Sequence, residues 1–178
     1  MPSLEVEVKI PVDCGELNSI LERLRGLGAR VEGPLREEDV YLQHPCRDVI
    51  ARDEAVRVRL SRGRARLTYK GPRIPRGDVK ARIEVEAEAS PEILEVLEAL
   101  GFREALRVVK ERIYASLPSA SVTLDRVEGL GCFVEVEAST GDPREVEEAL
   151  RLLGLDGRPR VTESYASMLA GRRGGARP

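Results

Sequence analysis

Residues 4–10 read Leu-Glu-Val-Glu-Val-Lys-Ile, a strict alternation of apolar and charged side chains. A period of two is typical of a strand with one face on a core and the other in polar surroundings. Leucine and isoleucine then recur at helical spacing from Leu17 to Leu27, between a capping-box pair, Asp13 and Glu16, and a stop at Gly28. The stretch therefore predicts a half-buried strand followed by an amphipathic helix.

The same unit of strand and helix occurs twice more along the chain. Acidic and apolar residues alternate over 83–89 before a Ser-Pro helix start, and over 133–137 before Asp142-Pro143 and a helix that ends at Gly154. Four further segments alternate in the same way: 56–60, 64–70, 108–114 and 121–125. Several neighbouring segments are joined by turns too short for a crossover helix. We therefore expect an α+β fold with about eight strands, mainly antiparallel, and three or four helices.

Composition limits the classes of partner. Of the 178 residues 42% are apolar and 34% charged, and no apolar run approaches the length of a membrane span. Lys plus Arg (29) nearly balances Asp plus Glu (31), so the chain has no general positive field to hold a nucleic acid. We expect one domain over 1–170, a disordered tail over 171–178, a monomer or homodimer, and no nucleic acid or membrane as partner.

The number and spacing of the cysteines indicate whether the protein belongs to an oxidising or a reducing compartment. Cys14, Cys46 and Cys132 are odd in number and widely spaced, and the chain has a single histidine, His44. This pattern predicts neither a disulfide framework nor a zinc site. The chain also starts without the basic and apolar segments of a secretory signal. We therefore expect a reducing cytoplasm, with His44 and Cys46 as loop residues.

The polar face of nearly every predicted strand is charged. A solvated face, whose charges would pair weakly across strands, normally also carries Ser, Thr, Asn and Gln, whereas here Glu, Arg and Lys dominate. If the sheet closes into a barrel with helices on its outside, these charged faces line a wet lumen. Carboxylates suit Mg²⁺ or Mn²⁺, and guanidinium groups suit phosphate oxygens. The pattern thus predicts a lumen that binds a polyphosphate with a divalent metal.

The charged positions form seven short motifs in a fixed order: Glu5-x-Glu7-x-Lys9, Asp39-x-Tyr41, Arg57-x-Arg59, Thr68-Tyr69-Lys70-Gly71, Arg82-x-Glu84-x-Glu86, Lys110-x-Arg112 and Glu135-x-Glu137. Over roughly residues 3–170 this order resembles the CYTH superfamily, the triphosphate tunnel metalloenzymes. The stretch from Asp39 to Arg59 is most similar to the class IV adenylate cyclase branch. The resemblance implies a closed, mainly antiparallel eight-stranded barrel with helices packed outside, and a Mg²⁺ or Mn²⁺ cofactor.

The resemblance also implies roles for individual side chains. Metal ligands would be Glu5, Glu7, Glu84, Glu86, Glu135 and Glu137, with Glu7 and Glu137 leading. Catalytic positions would be Lys9, Arg59, Lys70 and Asp125, and further triphosphate contacts would be Arg57, Lys80, Arg82, Lys110 and Arg112. Because Arg82 stands where the family often places a lysine and Lys80 comes two positions earlier, either could reach the phosphate.

Three functions stay open at this point. The first is a metal-dependent enzyme that either cyclises ATP to cAMP and pyrophosphate or hydrolyses thiamine triphosphate, a nucleoside triphosphate or tripolyphosphate. The others are a non-catalytic phosphate-binding module and a structural barrel with an ion-paired interior. The acidic motifs at the two ends of the chain favour the enzyme, since binding alone needs no metal carboxylates, and no P-loop is present. We also expect loss of one lumen cation to leave the fold intact, because cations crowded in a basic lumen repel one another.

Overall fold

The computed structural model describes residues 3–76 and 79–174, and the side chains of 5–74 and 81–172. The elements in chain order are β1 (Ser3–Val12), a 3-10 turn (Cys14–Glu16), α1 (Leu17–Gly26), β2 (Arg30–Gln43), β3 (Ala55–Ser61), β4 (Arg64–Lys70), β5 (Ile74–Arg76), β6 (Val79–Ala89), α2 (Ile93–Ala99), β7 (Arg103–Ser116), β8 (Ala120–Val127), β9 (Gly131–Ala138), α3 (Pro143–Leu153) and α4 (Tyr165–Gly174).

Eight of the strands close into a barrel. Their order is β1-β9-β8-β7-β2-β3-β4-β6, and β6 returns to pair with β1. Every neighbouring pair is antiparallel, and β5 pairs with β6 beside the barrel wall. The predicted fold class, an eight-stranded antiparallel barrel with helices outside it, is confirmed.

Helices cover the apolar outer face of the barrel. Ile20 and Leu24 of α1 and Leu150 of α3 are buried against the outer positions of β1, β8 and β9. Leu97 of α2 packs with Val40 and other outer residues of β2, β3 and β4. Burial of one such aliphatic side chain contributes about 1.5–3 kcal/mol, so the helices are held by their apolar stripes. With the outer face covered in this way, the charged positions of the same strands face the lumen.

Local signals set the helix boundaries. The Asp13 N–H donates to Glu16 Oε2 at 3.0 Å, in line with the predicted capping pair. The side chain of Asp142 accepts from the Arg144 N–H at 3.0 Å at the start of α3. Gly154 ends that helix with a φ of 66°, a conformation that favours glycine. The predicted start and stop of α3 are confirmed.

The last helix, α4, lies across one end of the barrel. Its Tyr165 is buried with Val108, Val127 and Phe133, which occupy inward positions near that end. The helix continues to Gly174, so residues 171–174 of the expected disordered tail are helical, and 175–178 lie outside the described residues. Within the part of the chain described, no helix is both long and apolar enough to cross a bilayer.

A disulfide joins Cys14 to Cys132, 118 positions apart in sequence, with a Cα–Cα distance of 5.1 Å. The prediction of no disulfide is therefore wrong. Pairing of Val12 with Cys132 in the β1–β9 ladder brings the start of the 3-10 turn over β9, a proximity that sequence spacing does not reveal. Cys46 is an exposed free thiol.

Candidate active site

A cavity of about 650 Å³ occupies the barrel lumen. Because side chains alternate along a strand, the charged residues at inward positions of the wall strands come together around this space. The predicted site residues that line it are Glu5, Glu7, Lys9, Arg57, Arg59, Lys70, Arg82, Glu84, Glu86, Lys110, Arg112, Glu135 and Glu137. The fold thus brings together side chains spread over more than 130 positions of sequence.

Two predicted site residues differ from this set. Asp125 is fully buried behind the lining, where it accepts hydrogen bonds from Arg112 Nε at 2.6 Å and from the Tyr165 hydroxyl at 2.7 Å. It therefore holds Arg112 in place and does not face the cavity itself. The backbone of Lys80 lies in β6 opposite Glu7, but its side chain is outside the described residues.

Four carboxylates meet where β1 is paired to β6 on one side and to β9 on the other. This acidic cluster consists of Glu5, Glu7, Glu84 and Glu137, with Glu7 directly opposite Glu137 in the β1–β9 ladder. Burial raises the pKa of Glu137 to about 7, and the neighbouring Glu7 and Glu84 charges add to this rise while Lys70 opposes it. Carboxylates crowded in this way favour a bound cation.

Lys70 reaches into the acidic cluster from β4. Its Nζ donates to Glu5 and lies 3.1 Å from Glu84 Oε2. Burial acts to lower the pKa of Lys70, but Glu5, Glu7 and Glu84 outweigh burial and hold it above its ordinary value. The ammonium group of Lys70 is therefore charged and serves as a counter-ion to these carboxylates.

A second group of charges surrounds Asp39 of β2. Arg59 binds this carboxylate through two nitrogens, at 2.7 and 3.0 Å, and Lys110 also donates to it. Burial acts to raise the pKa of Asp39, but Arg59, Lys110 and Arg57 hold it well below its ordinary value. Burial and the Arg59 charge lower the pKa of Lys110 to about 8, against the opposing effect of Asp39. Lys110 thus differs from Lys9, Lys70, Arg57, Arg59 and Arg112, whose pKa values lie above their ordinary values.

A third group centres on Glu135 of β9. Lys9 lies 2.7 Å from Glu135 Oε1, and Arg112 donates to the same carboxylate as well as to Asp125. The Lys9 ammonium also sits 4.4 Å from the ring centre of Tyr165, a cation–π contact. This group links the lumen to the helix that covers one end of the barrel.

The loop between β2 and β3, residues 44–54, contacts the side chain of Arg82 from β6. Arg82 Nη2 donates to Asp53 Oδ1 at 2.9 Å, and the Arg73 N–H donates to the other oxygen of Asp53 at 2.8 Å. Arg82 thus faces the cavity from β6 with its guanidinium held by an acidic loop residue.

One end of the cavity is mainly apolar. Its wall there includes Tyr41, Ile50, Leu106, Ala166 and Ala170, from the β2 end, the following loop, β7 and α4. Ile50 is 70% exposed although it is a large aliphatic residue. The cavity therefore offers a carbon-rich wall beside its charged interior.

Sequence reasoning missed several side chains of this site. Glu37 lies 3.2 Å from Arg59 and Asp53 accepts a hydrogen bond from Arg82, but nothing in the sequence marks either carboxylate. The motif Asp39-x-Tyr41 does not by itself indicate that Asp39 pairs with Arg59. In β2 the acidic run at 37–39 hides the alternation that would have marked a strand. Tyr41, Tyr114 and Tyr165 also line the cavity, although we expect tyrosines on these elements to pack at a barrel seam when the sequence alone is considered. His44 does not line it and instead packs edge-on against Phe102, with ring centres 4.9 Å apart.

The donor chemistry of the acidic cluster fits a hard divalent cation, because oxygen ligands with a surplus of negative charge are what Mg²⁺ and Mn²⁺ prefer. The arrangement of those donors does not yet form a cage. Among the described side chains, no three Asp, Glu, His or Cys groups converge closely enough to hold a metal ion. The residues that would ligate metal are instead directed in part toward Lys70.

Comparison with known proteins agrees with this architecture. The model of the CYTH domain family matches residues 3–165. The chain belongs to the CYTH domain family. It is 34% identical over 148 residues, 83% of each chain, to a Methanocaldococcus jannaschii protein provisionally named adenylate cyclase.

Solved structures of similar proteins show the same fold. The PH1819 protein of Pyrococcus horikoshii is 36% identical with a TM-score of 0.77, and the match covers 95% of this CYTH chain and 99% of that one. A Hippeastrum protein provisionally termed an adenylyl cyclase, with a dominant triphosphatase activity, is 18% identical with a TM-score of 0.68, covering 100% and 98% of the two chains. At that identity the second likeness supports the fold alone.

Proposed function

We propose that this CYTH protein is a metal-dependent enzyme that acts on the triphosphate of a nucleotide or related compound. The observation that carries this proposal is the lumen, in which cations from five strands face a common cavity with an acidic cluster beside them. A phosphate-binding module would need the cations but not the cluster. A structural barrel would need neither the cavity nor its apolar end.

The chain's residues divide the work in this proposal. The acidic cluster and Glu135 would hold Mg²⁺ or Mn²⁺, which would neutralise phosphate charge and stabilise the leaving group. Arg57, Arg59 and Arg112 would grip phosphate oxygens through their guanidinium forks, because such charge-assisted bonds are short and directional. Asp125 and Asp39 act as positioning residues, since each fixes an arginine through two contacts.

Cyclisation of ATP is the activity we place first. The relative from Methanocaldococcus jannaschii carries an adenylate cyclase name, and the apolar end of the cavity can receive an organic group attached to the triphosphate. In this reaction the ribose 3′-hydroxyl attacks the α-phosphorus in line and pyrophosphate leaves. The lumen would have to position that hydroxyl while it holds the three phosphates.

Hydrolysis is the second candidate. The Hippeastrum protein shares the fold and has a dominant triphosphatase activity, and the wide lumen leaves space for an attacking water. Thiamine triphosphate, a nucleoside triphosphate and tripolyphosphate would then all be possible substrates.

Product analysis tests the proposal. The protein is incubated with ATP, thiamine triphosphate or tripolyphosphate plus Mg²⁺ or Mn²⁺, and cAMP, pyrophosphate and phosphate are counted separately. We expect turnover that disappears in excess chelator. The turnover of Glu7→Gln should be at least about tenfold lower than that of the parent, whereas the exposed control Glu88→Gln should retain the parent's turnover. Undiminished turnover in chelator, or no turnover and no binding of any triphosphate, would contradict the proposal.

A further inference from the structure

The ammonium group of Lys70 lies where a metal ion would have to make its bonds. Lys70 Nζ contacts both Glu5 and Glu84, and the charge of Glu7 acts on it as well. Its side chain is only 15% exposed, so water does little to screen these contacts. Lys70 therefore already provides positive charge to the acidic cluster.

The same contacts explain why the carboxylates form no metal cage. A divalent ion bound by Glu5 and Glu84 would lie a few ångströms from the Lys70 ammonium, and two cations at that distance in a buried site repel strongly. Metal binding therefore requires Lys70 to move to another anion. A triphosphate in the lumen supplies that anion.

The reverse constraint holds for the triphosphate. Lys70 can donate to a phosphate oxygen only by leaving Glu5 and Glu84, and that movement would leave two buried carboxylates without this counter-ion. A buried charge that loses its partner is costly, so phosphate gains little from Lys70 unless a metal ion replaces it.

We propose that Lys70 is an exchangeable counter-ion that couples metal binding to triphosphate binding, so that each ligand raises the affinity of the lumen for the other. This inference rests on the proposed function, because it assumes that both ligands bind in the lumen. The coupling is reciprocal by thermodynamic necessity: the factor by which triphosphate tightens metal binding equals the factor by which metal tightens triphosphate binding. Lys70 is the residue through which most of that factor arises.

Calorimetric titration of the whole chain tests the coupling, with Ca²⁺ as a metal probe and tripolyphosphate as the anion. The protein is titrated with Ca²⁺ alone, with tripolyphosphate alone, and with each in the presence of the other. Because these two ligands also bind each other in solution, the binding of Ca²⁺ to tripolyphosphate is measured separately and subtracted. We expect a coupling factor of at least about tenfold for the parent protein.

Lys70→Met removes the counter-ion charge and so distinguishes the role of Lys70 from that of the other lumen cations. It should bind Ca²⁺ alone at least about tenfold more tightly than the parent and should lose most of the coupling, keeping only the part that arises from direct attraction between the two ligands. Lys70→Arg keeps the charge and should keep most of the coupling. Lys110→Met is the matched control, since it removes one buried lumen charge that contacts Asp39 and Glu37 and not the acidic cluster. It should weaken tripolyphosphate binding without tightening Ca²⁺ binding.

The outcomes distinguish the two proposals. If the parent binds both ligands but independently, the coupling is overturned and the proposed function stands. Equal Ca²⁺ affinities for Lys70→Met and the parent would also overturn it, and so would equal gains in Lys70→Met and Lys110→Met. If the parent binds neither ligand, the proposed function fails together with the coupling. If Lys70→Met fails to fold, independent binding of the two ligands by the parent would still overturn the coupling.

Discussion

At the scale of the residue, the contribution of a lumen charge to the stability of the fold depends on its partners. The sequence led us to expect a repulsive basic lumen, yet Arg59 contacts Asp39 through two nitrogens and lies 3.2 Å from Glu37. Outside the acidic cluster, opposite charges meet across neighbouring strands, as Asp39 meets Arg59 and Asp125 meets Arg112. The premise of a repulsive basic lumen therefore does not hold for Arg59, and we expect its removal to lower stability.

Arg59→Met should lower the free energy of unfolding by about 3–5 kcal/mol, because it leaves two buried carboxylates short of a partner. Arg62→Met is the control, since Arg62 is 61% exposed and pairs with the exposed Glu32, and it should cost less than about 1 kcal/mol. Urea unfolding of both variants in metal-free buffer measures the difference. Similar losses in the two variants would show that the lumen pairs add nothing to the fold.

Glu137 makes the stability of the ligand-free protein depend on pH. Its pKa is about 7 in the folded protein against an ordinary value of 4.5, so the folded state holds a proton that the unfolded state has released between these values. Stability should therefore fall as pH rises through this window, by up to about 3 kcal/mol from this group. Glu137→Gln should lose this component, so its melting temperature relative to the parent should rise between about pH 5 and pH 8. A difference that stays constant across this range in chelator would refute the assignment.

At the scale of the element, the strands were predictable and their contacts at a distance were not. Alternation located β1, β3, β4, β6, β7, β8 and β9 because each has one apolar and one charged face. β2 lacked that signal, since three acidic residues in succession at 37–39 and a register shift between Glu32 and Leu35 interrupt its period. The Cys14–Cys132 bond was missed for a related reason, because it depends on which strands become neighbours.

The disulfide ties the segment before α1 to β9, and its loss should weaken that side of the barrel. Cys14→Ser should lower the free energy of unfolding by about 2–4 kcal/mol, because the cross-link closes a long loop and restricts the unfolded chain. Cys46→Ser should have little effect, since Cys46 is exposed and unbonded. Denaturation of the parent with and without reductant should reproduce the Cys14→Ser difference. If reductant leaves the parent unchanged while its thiols become fully titratable, the bond does not stabilise the fold.

At the scale of the whole molecule, the order of the motifs sufficed to predict a closed barrel and most of its lining. Periodicity fixes the face on which each charge lies, and the closure of the sheet brings all such faces to one lumen. The pairing of charges within the lumen could not be predicted, because it depends on register. For example, Glu84 lies opposite Lys70 and Arg59 opposite Asp39. The apolar end of the cavity depends on α4, whose path across the barrel no local pattern indicates.

The seam between β1 and β6, where the barrel closes, has sparse apolar cover on its outer face. Among the described residues the two strands pair from Ser3 opposite Glu84 to Glu7 opposite Lys80, over five residue pairs, the same number as join β2 to β3. On the outer face of this seam Ile83 and Val85 are 49% and 42% exposed, so the helices do not cover it as they cover the other walls. Sparse apolar cover is a feature of segments that open locally.

We therefore predict that the seam opens first and that ligand closes it. In hydrogen exchange, the amides of residues 79–84 should exchange faster than those of β8, which is paired on both sides by long neighbours. Ca²⁺ with tripolyphosphate should slow the exchange of the seam amides by at least about tenfold, because Glu5 and Glu84 from the two strands would then share one bound cation. AMP with Ca²⁺ is the control and should give little protection. Equal exchange in β6 and β8, or protection that omits the seam, would mean that the ligand does not join the two edges on which closure of the barrel depends.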